Sequence, residues 1–448
     1  MASAAEQLAA NLSLGTLSKA TELKKRIWFT LGALIVYRIG TYIPVPGVDA
    51  AVMGELLSQH GGGILGMFDM FSGGALGRMT VFALNIMPYI SASIIVQLMT
   101  AAVPSLETLK KEGESGRKKL NQYTRYLTVL IALIQSYGIA VGLEGMRGSF
   151  GAAVIDPGWF FRISCVVTLV GGTMFLMWIG EQITARGVGN GISLIIFAGI
   201  VANLPTALAS LLELGRTGAL SPLFILAFLV IAVAVVAFVV FMERAQRRIT
   251  IQYPKRQVGQ RMFGGDSTHM PLKVNTAGVI PPIFASSILL IPATIAGFSS
   301  TQPDSWLGWI GQKLGHGEPA YMLAYAGMII FFSYFYTAVV FNPQETADNL
   351  KKHGGFIPGI RPGERTADFI DTVLTRITVI GAAYLTFICI VPEYLVSALA
   401  IPFYLGGTSL LIVVNVTMDT VTQIQSHLLA HQYGDLIKKA KLKGGRLR

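Results

Sequence analysis

The run Leu226–Phe241, LAFLVIAVAVVAFVVF, contains no polar side chain, and one residue later, after Met242, comes Glu243-Arg244-Ala245-Gln246-Arg247-Arg248. A helix in a water-soluble core needs one polar face, and this run has none. A β-barrel strand would alternate apolar and polar residues, and this run does not. A bilayer core of about 30 Å needs about 20 apolar residues in a helix. In lipid, a helix is the spanning form that satisfies its own backbone. The segment 221–242 therefore reads as a membrane span.

Nine further stretches read the same way: 27–43, 80–103, 124–142, 159–180, 192–213, 275–298, 321–341, 373–395 and 401–422. The whole composition agrees. Of 448 residues, 52% are hydrophobic and 13% charged, with mean hydropathy +0.58; soluble domains carry about 25% charged residues. Disorder, a coiled coil and an ordinary cytosolic enzyme are excluded. The expected class is an all-α polytopic membrane protein with ten transmembrane helices.

The net charge of +11 is unevenly placed. If the segment before the first span is cytoplasmic, the cytoplasmic pieces hold 29 of the 35 basic residues: Lys19 to Arg26, Lys110 to Arg125, Arg186, Arg244 to Lys273, Lys351 to Arg376, and Lys438 to Arg448. The outer pieces hold Arg78, Arg147, Arg162, Arg216 and Lys313, and Arg38 lies inside the first span. By the positive-inside rule both termini are expected in the cytoplasm. The first 26 residues are polar and end in Lys24-Lys25-Arg26, with no cleavable signal peptide visible. Cys165 and Cys389 fall in spans and read as small packing residues.

Five spans on each side of residue 215 make two halves, 1–215 and 216–448, which would insert with opposite topology. Inverted repeats build a pathway at their interface. Two basic loops, 243–273 and 342–371, are longer than a link between adjacent helices requires. They suggest a docking face for RNA phosphates or an acidic protein. Before the second span, Gly61-Gly62-Gly63 and Ser72-Gly73-Gly74 bracket the short apolar run Ile64, Leu65, Gly66, Met67, Phe68, Asp69, Met70, Phe71. Eight residues cannot span a bilayer. Glycine hinges at each end would let such a segment swing, as a stopper or as a re-entrant turn.

Mid-span ionisable groups, the usual mark of ion and proton pathways, are nearly absent. That weighs against the alternatives of a secondary transporter for small solutes and of an intramembrane enzyme. No Gly-Lys dipeptide and no His-Glu-x-x-His occurs, so neither a Walker A nucleotide site nor a zincin site is present. No catalytic residue, cofactor or metal is expected. What remains is a conduit with apolar walls. Ile86 and Ile90 flank Pro88, Ile192 and Ile196 follow Gly187-Val188-Gly189-Asn190-Gly191, Ile283 follows Pro281-Pro282, and Ile412 follows Gly406-Gly407. An apolar constriction can gate a pore by dewetting.

Several long strings carry a resemblance: Met70-Phe71-Ser72-Gly73-Gly74-Ala75-Leu76, Ile86-Met87-Pro88-Tyr89-Ile90-Ser91-Ala92-Ser93, Lys111-Glu112-Gly113-Glu114-Ser115-Gly116-Arg117, Gly180-Glu181-Gln182-Ile183-Thr184, Gly189-Asn190-Gly191-Ile192-Ser193, Phe341-Asn342-Pro343, Gly359-Ile360-Arg361-Pro362-Gly363, and Phe403-Tyr404 with Gly406-Gly407-Thr408-Ser409-Leu410-Leu411-Ile412. With them the chain resembles the SecY/Sec61-alpha family of Sec translocase pore subunits. The resemblance implies two pseudo-symmetric five-helix halves around an hourglass pore. It implies a ring matching Ile86, Ile90, Ile192, Ile196, Ile283 and Ile412, and a plug matching Ile64–Phe71. A lateral gate toward lipid would lie between spans 2 and 7 and spans 3 and 8, with Gln97 and Asn190 at polar positions of that region. The implied function is a channel in the bacterial inner membrane that passes unfolded secretory proteins and releases hydrophobic segments sideways. The implied partners are SecE- and SecG-type subunits, a SecA-type motor ATPase, the ribosome (its rRNA and proteins), signal peptides and nascent chains, and membrane lipid. Lys255, Arg256, Arg261 and Arg361 match cytoplasmic docking positions, and Gln260 stands where some relatives carry Arg.

Overall fold

The computed structural model describes residues 21–50, 52–54, 69, 72–145, 147–148, 151–218, 221–253, 256–258, 261–263, 267–298, 319–399 and 407–444. In chain order the elements are α1 (Thr21–Gly40), α2 (Met87–Ala102), α3 (Pro104–Lys111), α4 (Glu114–Gly145), β1 (Arg147–Gly148), β2 (Gly151–Ala152), α5 (Trp159–Arg186), α6 (Gly191–Arg216) and α7 (Pro222–Arg244). Then come β3 (Gln246–Gln252), β4 (Arg256–Val258), β5 (Arg261–Phe263), β6 (Ser267–Lys273), α8 (Ile280–Phe298), α9 (Pro319–Val340), α10 (Pro343–Lys352), α11 (Glu364–Leu399) and α12 (Gly407–Gly444). The chain is an all-α polytopic membrane protein, and each of the ten expected spans falls on a helix.

The run 226–241 lies inside α7. Ser221 caps this helix by accepting from Phe224 N, Pro222 opens it, and Arg244 closes it. Only 11% of its apolar window is buried, at a mean hydropathy of 3.4. A valine-rich run that would favour strand in water is helical here because lipid offers no partner to an open backbone. Among the described residues, six helices are long and apolar enough to cross a bilayer alone: 114–145, 159–186, 191–216, 222–244, 319–352 and 364–392. The pair α2 and α3 makes a seventh if counted as one span bent by 100°.

The second span differs from its expected bounds of 80–103. Residues 73–86 fold as turns, and helix begins only at Met87. Met79 and Asn85 adopt positive φ, 45° and 48°, a region that an α-helix does not use. Pro88 then stands in the first turn of α2, where its missing N–H costs no hydrogen bond.

By residue contacts the chain divides into two compact units. One comprises residues 1–96, 112–208 and 412–448; the other comprises 97–111 and 209–411.

In the first unit, α4 and α5 run antiparallel. Thr124, Thr128, Ala132, Ser136 and Ala140 form a buried stripe of small residues at every fourth position of α4. Small residues let helix backbones approach closely in a membrane. An ion pair closes each end: Arg125 to Glu181 at 2.7 Å and Arg162 to Glu144 at 2.6 Å. The two α4 members are 19 residues apart, about 28 Å of helix, which matches the apolar thickness of a bilayer. The segments 41–54 and 72–86 pack on this pair through Val45, Val48, Met79, Leu84, Phe161 and Leu169. Backbone bonds Val45 N to Met79 O (2.9 Å) and Val81 N to Ile43 O (3.0 Å) lace the two segments together.

In the second unit, the described residues of the loop 243–273 form a β-ribbon. Strands β3 and β6 pair antiparallel from Gln246↔Lys273 to Gln252↔Ser267, and β4 pairs with β5 inside them. The second long loop packs against it. Gln252 and Phe356 exchange backbone hydrogen bonds of 2.9 and 3.0 Å. Ile249 and Leu272 of the ribbon join Ile357, Ile370 and Ile377 in one buried cluster. The two loops are thus one folded appendage whose core is shared with the start of α11.

Candidate pore and docking elements

Ile86, Ile90, Ile196 and Ile412 are buried, between 1% and 8% exposed, while Ile192 and Ile283 are half-buried. Ile86, Ile90, Ile192, Ile196 and Ile412 belong to the first unit and Ile283 to the second. Ile86 precedes α2, and its carbonyl accepts from Ile90 N at 3.1 Å, so the two occupy successive turns of one helical entry. Ile283 follows the Pro281-Pro282 start of α8, and its carbonyl accepts from the hydroxyls of Ser286 (2.9 Å) and Ser287 (2.8 Å).

The connector before Ile192 is built from glycines because three helices crowd it. Val188 N donates to Thr30 Oγ1 of α1 at 3.1 Å. Gly189 N donates to Gln423 Oε1 of α12 at 2.8 Å. Gly191 N donates to Thr184 Oγ1 of α5 at 2.9 Å. Asn190 Oδ1 accepts from Ile192 N (3.1 Å) and Ser193 N (3.5 Å), which caps α6. A Cβ on Gly191 would collide with the Gly180 carbonyl. These bonds fix the starting direction of α6, and with it the placement of Ile192 and Ile196. Asn190 itself is exposed at this cap. Gln97, the other polar position, is half-buried on α2 and is counted with the second unit.

Of the short apolar run 64–71, only Asp69 is among the described residues. Its C-terminal anchor is well defined. Tyr37 Oη of α1 donates to Ser72 O at 3.1 Å, and Arg38 Nη1 donates to Gly73 O at 3.1 Å. Arg78 Nη2 donates to the same carbonyl at 3.2 Å. The Arg38 and Arg78 guanidiniums both lie over the Tyr42 ring, 5.6 and 4.3 Å from its centre. Arg38, the deepest cation in the first span, is therefore held by a carbonyl and an aromatic face. Gly73 and Gly74 both take positive φ, 68° and 82°, a turn only glycine makes without strain. Asp69 Oδ1 accepts from Gly77 N at 2.6 Å. Burial pushes the Asp69 carboxyl above its ordinary range, against the lowering effect of that bond and of Arg78.

Of the docking residues, Lys255 and Gln260 lie outside the described residues. Arg256 pairs with Phe263 and Arg261 with Val258 at the inner hairpin of the ribbon. Arg361 is exposed in the turn between α10 and α11, where its carbonyl accepts from Thr366 Oγ1 at 2.9 Å. The ribbon itself was not expected. Its signal was the alternation Ile249-Thr250-Ile251, buried, exposed, buried. Among the described residues no group of three or more His, Cys, Asp or Glu could hold a metal.

The SecY family model matches residues 80–421. The Protein translocase subunit SecY of Escherichia coli strain K12 is 60% identical over 424 residues, covering 94% of this chain and 96% of that protein. The protein of the same description from Rickettsia conorii is 57% identical over 422 residues, covering 94% and 97%. Among solved structures, one described as "The structure of a protein conducting channel" aligns with TM-score 0.65 at 16% identity, covering 90% of this chain and 92% of that one. A second, "Sec61 in the Canine ribosome-channel complex from the endoplasmic reticulum", aligns with TM-score 0.61 at 16% identity and the same coverage. At such identities the likeness is one of fold, and the fold is the one the sequence strings implied. With a family model over most of its length and near full-length relatives at 60% identity, the chain belongs to the SecY family.

Proposed function

We propose that this chain is the pore subunit of a protein-conducting channel in a bacterial inner membrane. It translocates unfolded secretory proteins and releases hydrophobic segments into lipid. The observation that carries this reading is the 60% identity to a protein translocase subunit across 94% of the chain. The chemistry suits it. A translocating chain varies in sequence, so its path is best lined by side chains that bind nothing in particular. Isoleucines can close around any segment, and when idle they exclude the water column that would carry ions.

In this reading the halves 1–215 and 216–448 enclose an hourglass pore. Ile86, Ile90, Ile192, Ile196, Ile283 and Ile412 form its waist, and Ile64–Phe71 is the plug. Gln97 and Asn190 belong to the lateral gate, and both termini are cytoplasmic. The anchoring of Ser72 and Gly73 on α1 supports a plug hinged at its C-terminal end. The folded appendage of ribbon and α10 turn, with Arg256, Arg261 and Arg361, supports docking of a SecA-type motor and of the ribosome on one face. SecE- and SecG-type subunits complete the complex.

The test is reconstitution into vesicles with those subunits, motor, ATP and a secretory precursor. ATP-dependent protection of the precursor from protease is expected. Saturable uptake of a small solute by the chain alone, without such protection, would replace this reading with that of a solute transporter.

A further inference from the structure

The ribbon meets the membrane helices at a buried polar node. At its root, Val274 N donates to Ala245 O at 3.0 Å. Beside this bond Glu243, the penultimate residue of α7, is 7% exposed, and Asn275 is 4% exposed. Asn275 Nδ2 donates to Glu243 Oε1 at 2.7 Å and to Gly278 O at 3.1 Å, while Asn275 Oδ1 accepts from Gly278 N at 3.1 Å. Gly278, at φ 64°, turns the chain into α8. On the other side the Val274 carbonyl presses on α11, where a Cβ on Gly381 would lie 2.7 Å from it. Tyr384, one turn along α11, brings its hydroxyl beside Glu243.

A carboxylate at this place is otherwise unfavourable. It is buried, and it sits at a helix C-terminus, where the backbone dipole opposes negative charge. Ribbon formation does not need it, since the β3–β6 ladder and the Ile249–Leu272 cluster supply that. What Glu243 adds is a link from α7, through Asn275, to the turn that starts α8.

We propose that Glu243 is a positioning residue: through Asn275 it transmits partner docking on the ribbon to the first turn of α8. Seven-residue strands reach about 24 Å from the root, so a load at the tip acts on this node as through a lever. The proposal rests on the reading of the ribbon as a docking surface.

The test uses the full channel in vesicles with motor, ATP and precursor, and compares Glu243→Ala, Asn275→Ala, their double variant and Glu243→Gln. Motor affinity is expected to stay within about twofold in all of them. Transport per bound motor is expected to fall about tenfold in either alanine variant, the scale of an ordinary coupling between sites, and no further in the double variant. Glu243→Gln, which keeps an acceptor oxygen, is expected to retain at least about half. Hydrogen exchange at 275–285 is expected to respond to motor binding in the wild-type chain and not in Glu243→Ala, while the ribbon stays protected in both. Gly278→Ala strains the same turn without touching the carboxylate and is expected to lose transport per bound motor likewise. Wild-type transport per bound motor in Glu243→Ala or Gly278→Ala overturns the proposal, as does a parallel fall of affinity and transport. Failure of the wild-type chain to bind the motor would instead overturn the docking reading.

Discussion

Arg38 and Arg78 share one acceptor, the carbonyl of Gly73, at 3.1 and 3.2 Å. Two like charges are thereby held side by side over a single tyrosine ring. Their repulsion is offset by the carbonyl dipole and by the negative face of Tyr42.

If this arrangement anchors a plug, loosening it should open the idle channel. Arg38→Ala removes the donor that comes from α1, and a hydrogen bond from a charged group contributes about 1.5–3 kcal/mol. The expected outcome is an idle ion conductance at least several-fold above wild type in planar bilayers or vesicles. Tyr37→Phe, which deletes only the O–H donated to Ser72, is expected to give a smaller rise. Wild-type conductance in Arg38→Ala would separate the anchor from the seal.

If the six isoleucines form the waist of a pore, a second prediction about leakage follows. Replacing Ile86 or Ile192 by Gly or Ser should let water and ions through the resting pore, because a polar or vacant position rewets an apolar constriction. Vesicle conductance is the measurement, and an unchanged value would remove that residue from the ring.

Charge reversal at Arg361 tests the appendage. The side chain is exposed and sits in a turn, and surface substitutions of this kind change stability by less than about 0.5 kcal/mol. Arg361→Glu should therefore leave the protein folded while impairing motor-driven translocation. Normal export with the variant present at wild-type level would exclude Arg361 from docking.

Close backbone contacts predict a stability difference between glycines. A Cβ on Gly191 would strike the Gly180 carbonyl and one on Gly407 the Ile388 carbonyl, whereas Gly171 has nothing within 4 Å. Overpacking costs about 1–3 kcal/mol. Gly191→Ala and Gly407→Ala should melt measurably lower in detergent than the wild-type chain, and Gly171→Ala should not.

Hydropathy located the helices well because lipid leaves the backbone little choice. It failed at the entry to the second span. Val81-Phe82-Ala83-Leu84 is as apolar as a helix needs, yet positive φ at Met79 and Asn85 keeps it in turns. Backbone handedness of that kind has no signature in apolarity. The ribbon was missed for a different reason. Its strand pattern is short, a single buried–exposed–buried alternation at Ile249-Thr250-Ile251 in a loop whose length and charge read as a docking face. The connector at 187–191 was recognisable as glycine-rich, but its partners Thr30 and Gln423 lie 158 and 234 residues away from their donors. No local pattern announces such pairings.

The cluster of Ile249, Leu272, Ile357, Ile370 and Ile377 seats the two long basic loops on the start of α11. Residues facing water on this appendage can therefore be exchanged while its buried isoleucines stay. If the appendage docks partners, its surface behaves as a cassette: partner preference can be rewritten, in evolution or by grafting, without redesigning the apolar helices.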